Sequence, residues 1–553
     1  MGHSLTMHFS ACLSRTLAAS TGAIWLSIAL SSCGGSSGSP SKQGPTITSQ
    51  PAAATISTGQ TANLTVSATG GGSLSFQWYQ GSSGDTSKPV GTNSSSFTSS
   101  PLSRSTSFWV SVSDADGSTA SAAAAITVVT PPANAIPATY MGMQMNGGID
   151  GISGQQPWPV VPFGAVRLWD ADVAWADINS GGQGVYDWTK LNSWLSQIPQ
   201  HGADILYTFG RVPAWASSNP SDTTCGFAPG ACDAPVGLNP DGTGSDQLFQ
   251  DFVTQLVTQS VNSPAGHIKY YELWNEMDNP PSWNGTLAQM VRMNSDAAQI
   301  IQSLDPNAVI LTPSVIIEGS TGRSYLQNYL PAAASFLPSI GGIAFHGYVQ
   351  MSGEPLVPEN INTHLAETRA ILAGAGLSSK PLFDTEASWG DPTVSNPNFT
   401  DPDMQAGFLA RMYLLQWSES VSRFYWYQWN NKRDGILWTP DPNNPSGPGT
   451  VLEPGIAYGQ VYQWLVGAVM SQACGQNGSV WSCELTSLNG YQALAVWDAS
   501  QTCSNGNCTT SSYSFPPQYV QYRDLEGDPP TSLSGQSSVA IGAKPILLEN
   551  QSR

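Results

Sequence analysis

Between Tyr140 and about Val469 the chain repeats one pattern, a short apolar run followed by a longer stretch with helical spacing of apolar residues. Eight runs fit strands, at 139–145, 164–170, 203–209, 268–275, 308–313, 342–348, 381–386 and 423–429. Helical periodicity lies between most of them, as in Trp188 to Ile198 and Leu248 to Val261. Strands that alternate with helices pair in parallel, and eight of them close a (β/α)8 TIM barrel. The spacing predicts that barrel over residues 138–470.

The flanks have a different rhythm. Residues 45–130 alternate polar and apolar positions, as in Leu74-Ser75-Phe76-Gln77-Trp78-Tyr79, between Ser/Gly/Asn turns. This predicts an immunoglobulin-like β-sandwich with Trp78 in its core, ending at Pro131-Pro132. Beyond the barrel, Trp481 to Leu488, Gln492 to Trp497, Tyr519 to Asp524 and Ser538 to Leu548 are strand-like. They predict a C-terminal all-β domain over 475–553, and the fold class is therefore multidomain.

The N-terminus reads as an export signal. Arg15 precedes an apolar run from Thr16 to Leu30, shorter than the roughly 20 residues that span a bilayer. Residues 1–32 are expected to be a signal peptide. Leu30-Ser31-Ser32-Cys33-Gly34 resembles the lipobox of bacterial lipoproteins, which implies lipid attachment at Cys33. Residues 33–44, rich in Gly and Ser, would form a tether, and the expected location is the outer membrane.

Six further cysteines fall into three close pairs, Cys225/Cys232, Cys474/Cys483 and Cys503/Cys508, as suits an oxidising compartment. No cysteine or histidine spacing suggests a metal, and no cofactor is expected. A net charge of −19 opposes binding to nucleic acid and to anionic lipid. The expected partner is a neutral carbohydrate, with membrane contact only through the anchor and the chain a monomer.

Two glutamates close strand runs. Tyr271-Glu272-Leu273-Trp274-Asn275-Glu276 ends the fourth, and Pro381-Leu382-Phe383-Asp384-Thr385-Glu386 ends the seventh. Glycosidic bond cleavage needs one carboxylic acid for the leaving oxygen and one carboxylate for the oxocarbenium-like centre. Opposite strand tips of a barrel can supply them across one sugar ring. Glu272 and Asp384 share the parity of Glu276 and Glu386 but lie deeper, as structural residues, and Glu318 after the fifth strand is the rival carboxylate.

At these positions the barrel resembles clan A of the retaining glycoside hydrolases. Phe209-Gly210-Arg211-Val212-Pro213-Ala214-Trp215-Ala216 and Leu273-Trp274-Asn275-Glu276 look most like family 39, with a departure at Met277, where proline is usual. The resemblance implies Glu276 as acid/base, Glu386 as nucleophile and Asn275 on the sugar 2-hydroxyl. It further implies Arg167 as the cation that keeps the nucleophile ionised, His346 and Tyr348 beside it, and Trp429 as an aromatic floor. Trp215 and Trp389 follow strand tips and are candidates for stacking on sugar. Two other readings use the same residues: an inactive glycan-binding lipoprotein and a transglycosylase.

Overall fold

The computed structural model describes residues 44–58, 61–130, 132–147, 149, 156–349, 357–390, 400–430, 434–445 and 447–552. The expected signal peptide, Cys33 and all but the last residue of the tether lie outside them.

Eight parallel strands close a barrel in sequence order. They are β1 (Met141–Gln144), β2 (Ala165–Leu168), β3 (Asp204–Thr208), β4 (Tyr270–Glu272), β5 (Val309–Leu311), β6 (Ile340–His346), β7 (Leu382–Ala387) and β8 (Val421–Trp426). Each lies at one of the eight apolar runs, and most are shorter because the chain leaves the ladder to build the mouth. Among the described residues, seven helices of three turns or more follow β2 to β8: α1 (Thr189–Gln200), α2 (Gln247–Val261), α3 (Leu287–Leu304), α4 (Ser320–Ala332), α5 (Asn360–Gly374), α6 (Pro402–Ser418) and α7 (Glu453–Leu465). Their apolar stripes face the strands; α2 buries Phe249, Phe252, Val253, Leu256 and Val257 at helical spacing. A capping box starts α3, with Gln289 N–H donating to Thr286 Oγ1 and Thr286 N–H to the Gln289 side chain.

The barrel interior has its own core of Ala165, Leu206, Tyr270, Leu311, Ala344, Phe383 and Tyr425. Gly142 is required opposite Tyr425, since a Cβ there would lie 2.6 Å from the ring. This plug fills the interior beneath the mouth and leaves the polar residues for the strand tips.

A six-stranded sheet closes the C-terminal side, in the order Val469–Asn477, Val480–Thr486, Gln492–Asp498, Ile546–Glu549, Gln521–Arg523, Thr531–Ser532. Its residues Leu485, Ala493, Ala495, Trp497 and Leu547 belong to the same apolar cluster as the outer layer of the barrel. The sheet begins at Val469, within the span predicted for the barrel and ahead of the predicted start at 475. The run Ser538 to Leu548 is two strands in different sheets, Ser538–Ile541 and Ile546–Glu549. Pro545 between them has no N–H for a ladder. All three cysteine pairs are bonded as neighbours. Lys544 binds Asp403 of α6, Glu453 of α7 and Glu526, fastening this sheet region to the helices.

The N-terminal sandwich keeps a separate core of Leu64, Trp78, Phe97, Phe108, Val110, Val112 and Ile126. Trp78 is fully buried, stacks on Phe97 and donates its indole N–H to the Ser94 carbonyl at 2.9 Å.

Candidate active site

The polar residues at the mouth form one network centred on Arg167 of β2. Its Nε donates to Glu272 Oε2 and to Thr208 Oγ1, both at 2.9 Å, and Nη2 donates to Glu272 Oε1 at 3.1 Å. The other donors reach outward: Nη1 to Glu386 Oε2 at 2.7 Å and Nη2 to Asn275 Oδ1 at 2.8 Å. Burial opposes the guanidinium charge, but Glu272 and Glu386 outweigh it and hold Arg167 firmly protonated.

Glu386 reaches this network through a bulge. Phe383 fills the barrel interior, so strict alternation along β7 would turn Asp384 and Glu386 outward together. The register shifts opposite Phe345/His346 and again between Asp384 and Ala387. Asp384 stays outward and accepts from Gln416 of α6 at 2.6 Å and from Gly347 N–H at 3.0 Å. Glu386 is re-aimed into the mouth, which corrects the single face read from parity.

Glu276 lies beyond the end of β4 in the left-handed region, at φ 46°. Its N–H donates to Ser314 Oγ at 3.0 Å. Asn279 Nδ2 at 2.7 Å and Ser282 Oγ at 3.3 Å donate to its Oε2. His346 Nδ1 lies 2.9 Å from Glu276 Oε1 and 3.9 Å from Glu386 Oε1, and the Tyr348 hydroxyl donates to Glu386 Oε1 at 2.9 Å. One carboxylate oxygen of each glutamate and a His346 ring nitrogen all lie within 4.8 Å of one another. The side chains of Glu276 and Glu386 are only 12% and 10% exposed.

These groups titrate together. Burial and Arg167 oppose protonation of His346, but the charges of Glu386 and Glu276 prevail and raise it above the usual imidazole range. Burial lifts Glu276, yet the hydrogen bond and charge of His346, with Asn279 and Arg167, hold it below the usual glutamate range. For Glu386, burial together with repulsion from Glu276 and Asp170 prevails over His346 and Arg167 and raises it. While His346 is charged, the shared proton therefore sits nearer Glu386. That order depends on the His346 proton. Once the ring is neutral its charge no longer lowers Glu276, while Glu386 keeps the ion pair to Arg167 at 2.7 Å and the Tyr348 hydroxyl bond at 2.9 Å.

The structure brings together Arg167, Asn275, Glu276, His346, Tyr348 and Glu386. It does not bring the tryptophans to them. Trp389 is buried against Phe408 and Trp426, and Trp429 is buried against Trp438, so neither presents a ring face. Trp215 packs at the edge of the core and donates to the Asn179 carbonyl at 2.7 Å. A second aromatic residue near Glu386, besides Tyr348, is Tyr427, half-buried just past β8, whose hydroxyl donates to Asp170 Oδ2 at 2.7 Å. Burial, Asp170 and Glu386 hold its hydroxyl well above the usual tyrosine range. Its position two residues before Trp429 was the available signal, since the ladder of β8 ends at Trp426. The Glu318 carbonyl accepts from Arg323 at 3.0 Å. The Glu276/His346/Glu386 trio has the spacing of a metal group, but Arg167 already places a cation against Glu386.

The chain is thus a (β/α)8 barrel with a paired carboxyl site at its mouth, flanked by a sandwich and a C-terminal sheet. The sandwich matches the family model of an Ig-like domain, CHU_C associated, over residues 43–132. A family 39 glycoside hydrolase from the gut symbiont Bacteroides cellulosilyticus WH2 superposes with a TM-score of 0.52 at 14% identity, covering 91% of this chain and 99% of its own. A glucosidase from Croceicoccus marinus has a TM-score of 0.49 at 15% identity, covering 76% of this chain and 96% of its own. The catalytic domain of a GH30 xylanase C from Talaromyces cellulolyticus has 0.47 at 14%, with 74% and 97% covered. No curated protein matches the chain. At these identities the likeness is one of fold, and it rests on the first of the three structures.

Proposed function

We propose that this protein is an exported, lipid-anchored glycoside hydrolase that cleaves β-linked oligo- or polysaccharide with retention of configuration. The observation that carries the reading is the carboxyl pair, with oxygens of Glu276 and Glu386 within 4.8 Å and Arg167 at 2.7 Å from Glu386. Retaining enzymes hold their two carboxyl groups about 5–5.5 Å apart, while inverting enzymes leave roughly 6.5–9.5 Å for a water.

In the first step Glu386 attacks the anomeric carbon, the bond to the leaving oxygen breaks, and Glu276 gives that oxygen its proton. In the second, Glu276 takes a proton from water, the water oxygen bonds to the anomeric carbon, and the ester to Glu386 breaks. Arg167 and Tyr348 favour the ionised Glu386 needed for attack. Asn279 and Ser282 fix the orientation of the Glu276 carboxyl, and Asn275, held by Arg167, is free to meet a sugar hydroxyl with its amide N–H. The family 39 neighbour supports the same reading through the shared fold.

The test is hydrolysis of a panel of aryl glycosides by the soluble chain beside Glu276→Ala and Glu386→Ala. Both variants should be inactive or nearly so on unactivated substrates. Azide should rescue Glu386→Ala with a glycosyl azide of inverted configuration and Glu276→Ala with one of retained configuration. Full activity in either variant would sink the assignment.

A further inference from the structure

Among the described residues, Phe227 is the one aromatic in the set of large apolar side chains left well exposed, at 47%. It stands on the loop that the Cys225–Cys232 disulfide closes, in the long connection between β3 and α2. That loop is pinned on two sides. Val212 N–H donates to the Ala231 carbonyl beside the tip of β3. Gly226 N–H donates to the Pro281 carbonyl, and Asn284 N–H to the Cys232 carbonyl, on the same loop whose Asn279 and Ser282 hold Glu276.

One face of the Phe227 ring is covered by the Arg211 guanidinium, 3.9 Å from its centroid, and its neighbour Trp169 meets it edge-on at 5.4 Å. Trp169 in turn lies 5.9 Å from the Arg167 guanidinium, so Phe227 is two contacts from the group that binds Glu386. Arg211 also binds Asp170, which accepts from Tyr427. The ring is therefore fixed at the barrel's catalytic end, beside a line of hydrogen-bonding groups that runs back to the carboxyl pair.

A solvent-facing ring costs hydrophobic free energy unless something covers it, and fixing it in advance lowers the cost of covering it later. We infer that Phe227 is the platform of an outer sugar subsite, where a unit of an extended neutral glycan stacks while its hydroxyls meet Arg211 and Asp170. This deepens the glycosidase reading and rests on it: it makes the preferred substrate a chain longer than the one unit that the carboxyl pair engages.

Affinity electrophoresis through soluble xylan and mixed-linkage β-glucan tests the platform without any turnover. The full chain should be retarded by at least one polymer, Phe227→Ala should lose about tenfold in affinity for it, and Phe227→Trp should retain it. In parallel, a short aryl glycoside accepted by the wild type should be hydrolysed by Phe227→Ala with unchanged kcat/KM, which also shows that the variant is folded. Identical mobilities of wild type and Phe227→Ala across the panel overturn the subsite, whatever the aryl glycoside assay shows. Loss of aryl glycoside hydrolysis in Phe227→Ala equal to its loss on polymer also overturns it, since the ring would then act on the reacting unit. An inactive wild type that is still retarded through Phe227 would instead refute the glycosidase reading and leave the subsite standing.

Discussion

Arg167 and Glu272 form a two-pronged ion pair, Nε to Oε2 at 2.9 Å and Nη2 to Oε1 at 3.1 Å, with both side chains wholly shielded from solvent. Glu272 thereby fixes the plane of the guanidinium, and the remaining edge must face Glu386 and Asn275. The pair is a mount for the edge of the arginine that meets Glu386 and Asn275.

Arg167→Met should destabilise the fold by about 3–5 kcal/mol, because it leaves Glu272 and Glu386 buried without their cation. Adding Glu272→Gln should recover part of that loss but none of the activity. Urea midpoints and kcat/KM for the single and double variants check this, and full additivity in stability would contradict the mount.

Two side chains should move the two limbs of the pH profile separately. Tyr348→Phe removes a donor to the Glu386 carboxylate, so its pKa rises and the acid limb of kcat/KM shifts to higher pH. The loss in rate should be about 10-fold to 100-fold. His346→Ala removes the main influence that lowers Glu276, so Glu276 keeps its proton longer and the basic limb shifts upward. A profile in which either variant moves the opposite limb would reverse the roles.

Asp384 is pushed up to about 7 by burial, against the hydrogen bonds from Gln416 and Gly347. Its folded pKa exceeds the unfolded one, so the folded chain keeps a proton that the unfolded chain releases between about pH 4 and 7. The corresponding stability is present below that window and is lost as pH rises through it. In Asp384→Asn the fall of unfolding free energy over the window should lessen by up to about 1.4 kcal/mol per pH unit. Denaturant titrations from pH 4 to 8 measure it; parallel curves for the two proteins would rule it out.

The two flanking units should respond differently to deletion. A chain beginning at residue 132 loses only the sandwich, whose core is self-contained, and should keep a cooperative transition and its hydrolytic activity. A chain ending at residue 468 uncovers the apolar cluster that Leu485, Trp497 and Leu547 help to form, and should aggregate or bind ANS. Calorimetry and gel filtration separate these outcomes.

All eight barrel strands were legible because each is an apolar run between helical stretches, and Arg167, Asn275, Glu276, His346, Tyr348 and Glu386 sit at or just beyond their ends. The orientation of Asp384 was not legible, since a bulge leaves no mark in an alternation of residue types. Trp389 and Trp429 misled for a related reason: indoles suit a cleft and a core equally, and only the end of β8 at Trp426 decides that Tyr427 is a ring at the mouth. The sheet boundary at Val469 was hidden because only three residues separate the end of α7 at Leu465 from a strand that buries none of its residues.

Glu276 holds a backbone conformation that suits glycine, at φ 46°, and a carboxyl largely withdrawn from water. Such a conformation costs about 1–3 kcal/mol in a residue with a Cβ. Glu276→Gly should relieve it and yield a protein that outlasts the wild type on heating while hydrolysing nothing. Selection for robustness alone would discard this glutamate, so on the proposed reading the chain gives up durability here for reactivity.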